Sequence, residues 1–337
     1  MRQRILALAA AAVALGTVGI SPAAAHNGHE GTHGSQGTDG SQGSHSSQGS
    51  HGNHGSAQGG YGDTTPKTPA RGPQVFLAAT LSGAEEVPVA GGPAVGDADG
   101  KADALVRVKG DRVTFALRWK GIGAPTLGHI HQGKAGANGD VKVPLFGTAM
   151  PDTVHSAAGQ TTVTDAALAQ QIRTDPAGFY VNLHSKEFPG GAVRGQLQPL
   201  HKPVNPLDIL KGGKLLALSD GGQEVPKDDA SKVGDPDGHA ITFIHPKGSA
   251  VDYSFAWVNI APPSLGHIHK GRFGKNGDIQ FNFFNNPVPQ NIFAVSGTLE
   301  NQDPKVVDRV RRNPSDYYSN LHTAEFPDGA VRGQLFH

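Results

Sequence analysis

Residues 104–119, ALVRVKGDRVTFALRW, alternate apolar and polar side chains on either side of a KGDR turn, and residues 240–257, AITFIHPKGSAVDYSFAW, do the same around HPKGSA. Period-two alternation broken by glycine-bearing turns predicts a β-hairpin in each stretch. Two segments switch period. TDAALAQQIRTDP (164–176) and NQDPKVVDRVRRNP (301–314) place apolar residues three and four apart between an Asp or Asn start and a closing proline, which predicts one short helix in each. Each helix stands just before FYVNLH or YYSNLH. The close spacing of turn signals elsewhere predicts mainly β structure: antiparallel, Greek-key-like sandwiches carrying one short helix apiece.

The hydrophobic pattern is written twice. A shift of 138 residues lays one copy on the other without a gap from Glu86 to Leu197: EEVP meets QEVP, GDADG meets GDPDG, Trp119 meets Trp257, GHIH meets GHIH and GAVRGQL meets GAVRGQL. Two tandem domains are expected, residues 74–198 and 214–336, joined by a proline- and glycine-rich linker, 199–213, of stiff composition.

Ahead of the repeats, two arginines precede an apolar run that closes on Ala23, Ala24 and Ala25. This is the form of a secretory signal peptide cut after Ala25, and it predicts an exported chain. No other segment approaches the roughly 20 apolar residues of a membrane span. Residues 26–72 are dominated by His, Gly, Ser and Gln, a composition that buries too little to offset chain entropy, so disorder is expected there. Six histidines in this stretch suit either a solvated spacer or a flexible scavenger of metal ions. Cleavage after Ala25 would also expose His26, whose amino group and ring can chelate copper together.

Removing Arg2 and Arg4 from the 29 basic residues leaves 27 against 29 acidic ones, a formal charge of about −2. No basic stripe of a nucleic-acid binder is visible. With no cysteine, stability rests on the core and on hydrogen bonds, and any metal chemistry falls to His, Asp, Glu or backbone oxygen.

The candidate chemistry is in the histidines. On a strand, His129 and His131 share a face with Cα atoms roughly 6.6 Å apart, and so do His267 and His269. A third histidine follows 55 residues after the first in each copy, His184 and His322. Three nitrogens suit copper or zinc with a position left open. The other reading makes these rings hydrogen-bonded structural groups that clamp the following glycine-rich loop. His155, His239 and His245 do not recur and are expected on the surface. Gly133, Gly136 and Gly139 are expected to supply positive φ, GDADG and GDPDG to be turns rather than calcium loops, and Trp119 and Trp257 to be core. Arg194 and Arg332 are either carbonyl or carboxylate clamps or anion-attracting groups beside a metal. No organic cofactor is expected.

Both copies resemble the CHRD domain, the module named after chordin, through LSGAEEVP, GHIHxGxxGxNG, YVNLH and FPGGAVRGQL. The resemblance implies an exported β-sandwich module. The growth-factor ligands of chordin are not carried over to this chain. The H-x-H strand is also similar to the copper strand of Cu/Zn superoxide dismutases. That likeness implies copper on His129, His131 and His184, with Arg194 drawing in superoxide. The chain departs from that pattern in lacking the cysteine pair, a bridging histidine and a zinc cluster. Three functions follow as expectations: a metal-binding module with one three-histidine site per domain, a copper-dependent dismutase-like enzyme, or an extracellular adhesion or ligand-binding protein without metal.

Overall fold

The computed structural model describes residues 70–337; the leader reading and almost all of the His-rich reading concern residues outside that span. The first predicted hairpin forms from β2 (Lys101–Lys109) and β3 (Arg112–Lys120). Lys109 faces Arg112 across a two-residue turn in which Gly110 has φ 59°, the left-handed geometry that matches strand twist in a tight hairpin. β1 (Gln74–Ser82) pairs with β2, and β6 (Val154–Thr162) pairs with β3. This makes one sheet in the order β1-β2-β3-β6.

The second sheet is built from β4 (Leu127–Gln132), β5 (Val141–Phe146), β7 (Phe179–His184) and β8 (Val193–Gln196), in the order β5-β4-β7-β8. The chain changes sheet between β3 and β4, between β5 and β6, and again after β6, which is the Greek-key habit. The two sheets meet where Arg194 on β8 pairs with Ser82 on β1, and β9 (Gln198–Leu200) continues along β1. Val106, Phe115, Leu117 and Trp119 from the first sheet pack with Ile130, Leu145, Val181, Leu183 and Val193 from the second. Each such burial contributes about 1.5–3 kcal/mol.

Helix α1 (Ala166–Thr174) starts where Asp165 accepts hydrogen bonds from the amides of Ala167 and Leu168 at 2.8 and 3.2 Å. Its Ala169 and Ile172 face the core.

The second repeat follows the same plan. Sheet β10-β11-β12-β15 is formed by Leu215–Asp220, His239–Lys247, Ala250–Val258 and Ile292–Leu299. Sheet β14-β13-β16-β17 is formed by Ile279–Phe284, Leu265–Lys270, Tyr317–His322 and Val331–Gln334. Helix α2 (Pro304–Arg312) is capped by Asp303 and buries Val307 and Val310. GDADG and GDPDG end the long connections from β1 to β2 and from β10 to β11.

One feature has no counterpart in the sequence reading. β6 pairs antiparallel with β15, with Ser156 opposite Ser296, Ala157 opposite Val295 and Ala158 opposite Ala294. Ala157 and Val295 are equivalent positions under the 138-residue shift, so a local two-fold axis passes through that pair. The contact is of the self-complementary kind found in symmetric dimers. The segment expected as a linker lies over this seam. Leu207, Ile209 and Leu210 bury against Ala116, Ala158, Ile241, Phe243, Ala256 and Ala294. The Ser296 hydroxyl donates to the Ile209 carbonyl at 2.9 Å. Three apolar residues among the prolines bury the join against both repeats.

Candidate metal centres

GHIH lies on β4, and the pairing of β4 with β7 places His129 opposite Asn182, His131 opposite Tyr180 and Leu127 opposite His184. Strand alternation then divides the residues. Ile130, Val181 and Leu183 turn into the core, while His129, His131, Tyr180, Asn182 and His184 turn to the outer face of the sheet. The glycine of the motif is a packing requirement: a Cβ at Gly128 would overlap the Phe146 ring, and one at Gly266 the Phe284 ring.

The three histidines converge in each repeat. Ring nitrogens of His129, His131 and His184 lie within 4.8 Å of one another, and so do those of His267, His269 and His322. Hydrogen bonds decide which nitrogens have free lone pairs. His131 Nδ1 is 3.0 Å from the Gly139 carbonyl and His184 Nδ1 is 3.0 Å from the Pro189 carbonyl. A carbonyl only accepts, so both Nδ1 atoms carry hydrogen and both Nε2 atoms present lone pairs. His129 Nδ1 lies 3.4 Å from His184 Nε2. The second repeat copies this: His269 Nδ1 to Gly277 O at 2.9 Å, His322 Nδ1 to Pro327 O at 3.0 Å, and His267 Nδ1 to His322 Nε2 at 3.2 Å. His131 Nε2 and His269 Nε2 are buried without a hydrogen-bond partner. In each set two Nε2 atoms and one Nδ1 atom thus stand close together as nitrogens that could hold a metal ion, or, with hydrogen on that Nδ1, as a ring-to-ring hydrogen bond.

Burial also keeps the rings neutral. It pushes His129 down to about 4, helped by the neighbouring His184 and His131, and His267 down to about 3, helped by His322 and His269. The other four rings are held below the usual imidazole value by the same cause, with the carbonyl bonds opposing it. Neutral imidazole is the form that binds metal.

The glycine-rich loop, 133–140, covers this face and explains the arginine. Arg194 is 1 % exposed. Its guanidinium donates to Asn138 Oδ1 at 3.2 Å, to Lys134 O at 3.0 Å and to Ala137 O at 2.8 Å, and it lies 3.5 Å over the Tyr180 ring. Tyr180 in turn stacks on His131 with ring centroids 4.8 Å apart, and its hydroxyl accepts from the Gly139 amide. Arg332 repeats the arrangement with Asn276, Arg272, Lys275 and Tyr318. Of the two readings of these arginines, the geometry is that of the carbonyl clamp: the guanidinium that was to attract an anion is buried under the loop it holds. Of the three loop glycines, only Gly136 has positive φ, 75°. Gly139 is required for a different reason, since a Cβ there would overlap the Gln132 carbonyl oxygen.

Two residues of this face escaped sequence reasoning. Glu86 is half-buried, its Oε2 accepting from Asn182 Nδ2 at 3.2 Å, while Glu86 Oε1 and Asn182 Oδ1 are buried without a partner. Burial pushes Glu86 up to about 7 against the pull of Asn182 and Arg194. Glu224 and Asn320 repeat the pair at 3.4 Å, and burial pushes Glu224 up to about 8. Identity in both repeats was the available signal. His155 and His239 are exposed and His245 half-buried, all away from the triads.

Among the described residues no helix is long and apolar enough to cross a membrane. Comparison with protein families matches the CHRD domain at residues 77–197 and again at residues 215–335. No curated protein and no solved structure matches the chain.

Proposed function

Because the chain belongs to the CHRD domain family, as two tandem copies, we propose that it is an exported protein that holds one copper or zinc ion at each three-histidine centre. The observation that carries this reading is the fixing of tautomers. In both repeats backbone carbonyls take the Nδ1 protons of two rings, so their Nε2 lone pairs converge with the Nδ1 of the third. Carbonyl-oriented imidazoles are how proteins prepare histidine ligands, and three of them leave a position for water or an outside ligand. Copper should displace zinc, since imidazole sites of open geometry follow that order of affinity. The His-rich segment ahead of the repeats would gather ions and raise their local concentration. A dismutase-like reaction has less behind it, because the arginine that would attract an anion is buried in the loop clamp.

The test is metal analysis of the chain purified without an affinity tag, set against a variant carrying His129→Ala, His131→Ala, His267→Ala and His269→Ala. The His-rich segment is common to both, so the difference belongs to the centres. About two tightly held ions should be lost in the variant. Equal metal content in the two proteins rejects the reading. A dismutation assay on the copper-loaded chain separates a carrier from an enzyme.

The pH dependence has a definite sign. Protons compete with metal only as pH falls towards the ring pKa values, and these lie below 6.5, at about 4 for His129 and about 3 for His267. Bound metal should therefore survive acidification through the usual imidazole range and be released only as pH falls towards these depressed values. Equilibrium dialysis across that range checks it.

A further inference from the structure

The two glycine-rich loops are copies in their backbone and differ at their tips. In the second repeat the Lys275 amide donates to the Arg272 carbonyl at 2.9 Å and Gly274 has φ 72°. In the first, the Ala137 amide donates to the Lys134 carbonyl at 3.1 Å and Gly136 has φ 75°. Both are four-residue turns with a left-handed third residue, and the second residue stands at the corner. The buried arginine holds each turn at both ends. Arg332 donates to the carbonyls of Arg272 and Lys275 at 3.1 and 2.8 Å, as Arg194 does to those of Lys134 and Ala137. The corner residue is Ala135 in one turn and Phe273 in the other.

Phe273 is 72 % exposed, more than any other large hydrophobic among the described residues. A Cβ on the adjoining Gly274 would meet nothing within 4 Å, so the tip stands in open space. The clamp fixes the backbone that carries the ring, so docking it costs little further ordering. Ile279, 49 % exposed, stands at the foot of the same loop, where the Lys270 amide donates to the Asp278 carbonyl. Cations flank the ring. Lys270, Arg272 and Lys275 are exposed, and only Arg272 has an ion-pair partner among the described residues, Asp316 at 2.7 Å. Residues 270–278 carry these three positive charges against Asp278, and stay positive when Asp316 is counted; residues 132–140 carry Lys134 against Asp140 and are neutral.

An exposed aromatic ring between unpaired ammonium groups is matched by an apolar phase lying directly behind a plane of anions. A soluble polyanion would meet the lysines and leave the ring in water. We propose that the 270–278 loop of the second repeat is a docking tip for an anionic lipid bilayer: Phe273 enters the headgroup boundary while Lys270 and Lys275 meet lipid phosphates. The first-repeat loop, with Gln132, Ala135 and Ala137 at the corresponding positions, does not dock. One ring and a few cations give reversible attachment rather than a permanent anchor. The triads take no part in it.

The experiment is co-sedimentation of the full chain with phosphatidylcholine vesicles and with vesicles that also contain phosphatidylglycerol, in a metal chelator so that no metal ion bridges protein to lipid phosphate. Residues ahead of the fold are common to every protein compared, so differences between variants belong to the loops. The natural chain should sediment with the anionic vesicles and be released by salt. Phe273→Ala should lower the partition coefficient by about 10-fold, and Lys270→Gln/Lys275→Gln by about 10–30-fold. Ala135→Phe/Ala137→Lys should raise it, a gain that damage to the fold does not produce. The emission of Phe273→Trp should shift to the blue on anionic vesicles only. Equal partition into both kinds of vesicle, or a coefficient unchanged in Phe273→Ala, overturns the proposal. Binding to soluble polyphosphate without binding to vesicles gives the lysines to a polyanion and overturns it as well.

Discussion

Glu86 and Glu224 are half-buried residues, each with one carboxyl oxygen buried and without a partner, and desolvation holds them protonated well above the ordinary glutamate value of 4.5, to about 7 and about 8. The folded protein keeps these protons where the unfolded chain has lost them. Their contribution to stability is therefore complete below about pH 4.5 and is lost as pH rises to about 7 and 8. The triad histidines act oppositely, because their folded pKa values are depressed. Their contribution is complete above 6.5 and is lost as pH falls to about 4 at His129 and about 3 at His267. The double variant Glu86→Gln/Glu224→Gln removes only the alkaline loss. Thermal melts from about pH 6.5 to about pH 9, where the histidine contribution is already complete, should show Tm of the natural chain falling with pH and Tm of the variant nearly level over the same interval. The same two residues mark a limit of sequence reading. EVP in both copies signals that a position matters, but nothing in the local pattern says that a carboxylate is to be buried beside an asparagine 96 residues away.

At the scale of elements, the glycine-rich loop is tied to the β4-β7-β8 sheet by three kinds of contact: the Arg194 guanidinium on its carbonyls, the Tyr180 hydroxyl on the Gly139 amide, and His131 Nδ1 on the Gly139 carbonyl. The loop thus orients one ligand of the triad, and its own shape depends on Gly139 lying against the Gln132 carbonyl. Gly139→Ala forces the loop away and frees His131 from its tautomer. Stability should fall by about 1–3 kcal/mol, with metal affinity of the first centre weakened and that of the second unchanged. Chemical denaturation, and metal competition on His267→Ala/His269→Ala and His129→Ala/His131→Ala backgrounds that keep one centre each, measure both. Hairpins and helices were legible because each is specified locally: Gly110 and Gly248 at positive φ in the turns, with Asp165 and Asp303 capping the helices. The arginine clamp was not, since Arg194 reaches its partners 56 to 60 residues back in the chain.

For the whole molecule, the seam between β6 and β15 makes the two repeats share a sheet, and the join at residues 206–210 covers it with Leu207, Ile209 and Leu210. Shared sheet and shared apolar cluster couple the halves. Calorimetry should therefore show a single unfolding transition. Ile209→Ala should cost about 2–5 kcal/mol and lower Tm by several degrees, and a split into two transitions in that variant would show how much of the coupling the join supplies.

The amino-acid sequence by itself determined the tandem repeat, the antiparallel hairpins, the helix before the last histidine, and which three histidines of each copy belong together. Period-two alternation and identical spacing are properties of the chain as written, and they say which side of a strand a residue faces. Only the tertiary structure decided what covers each face. It buried Arg194 and Arg332 under the loops, set Glu86 and Glu224 beside Asn182 and Asn320, and folded the join over the seam. These contacts join segments far apart in the chain, where side-chain shape and the accounting of buried polar groups select the partner and no local period records it.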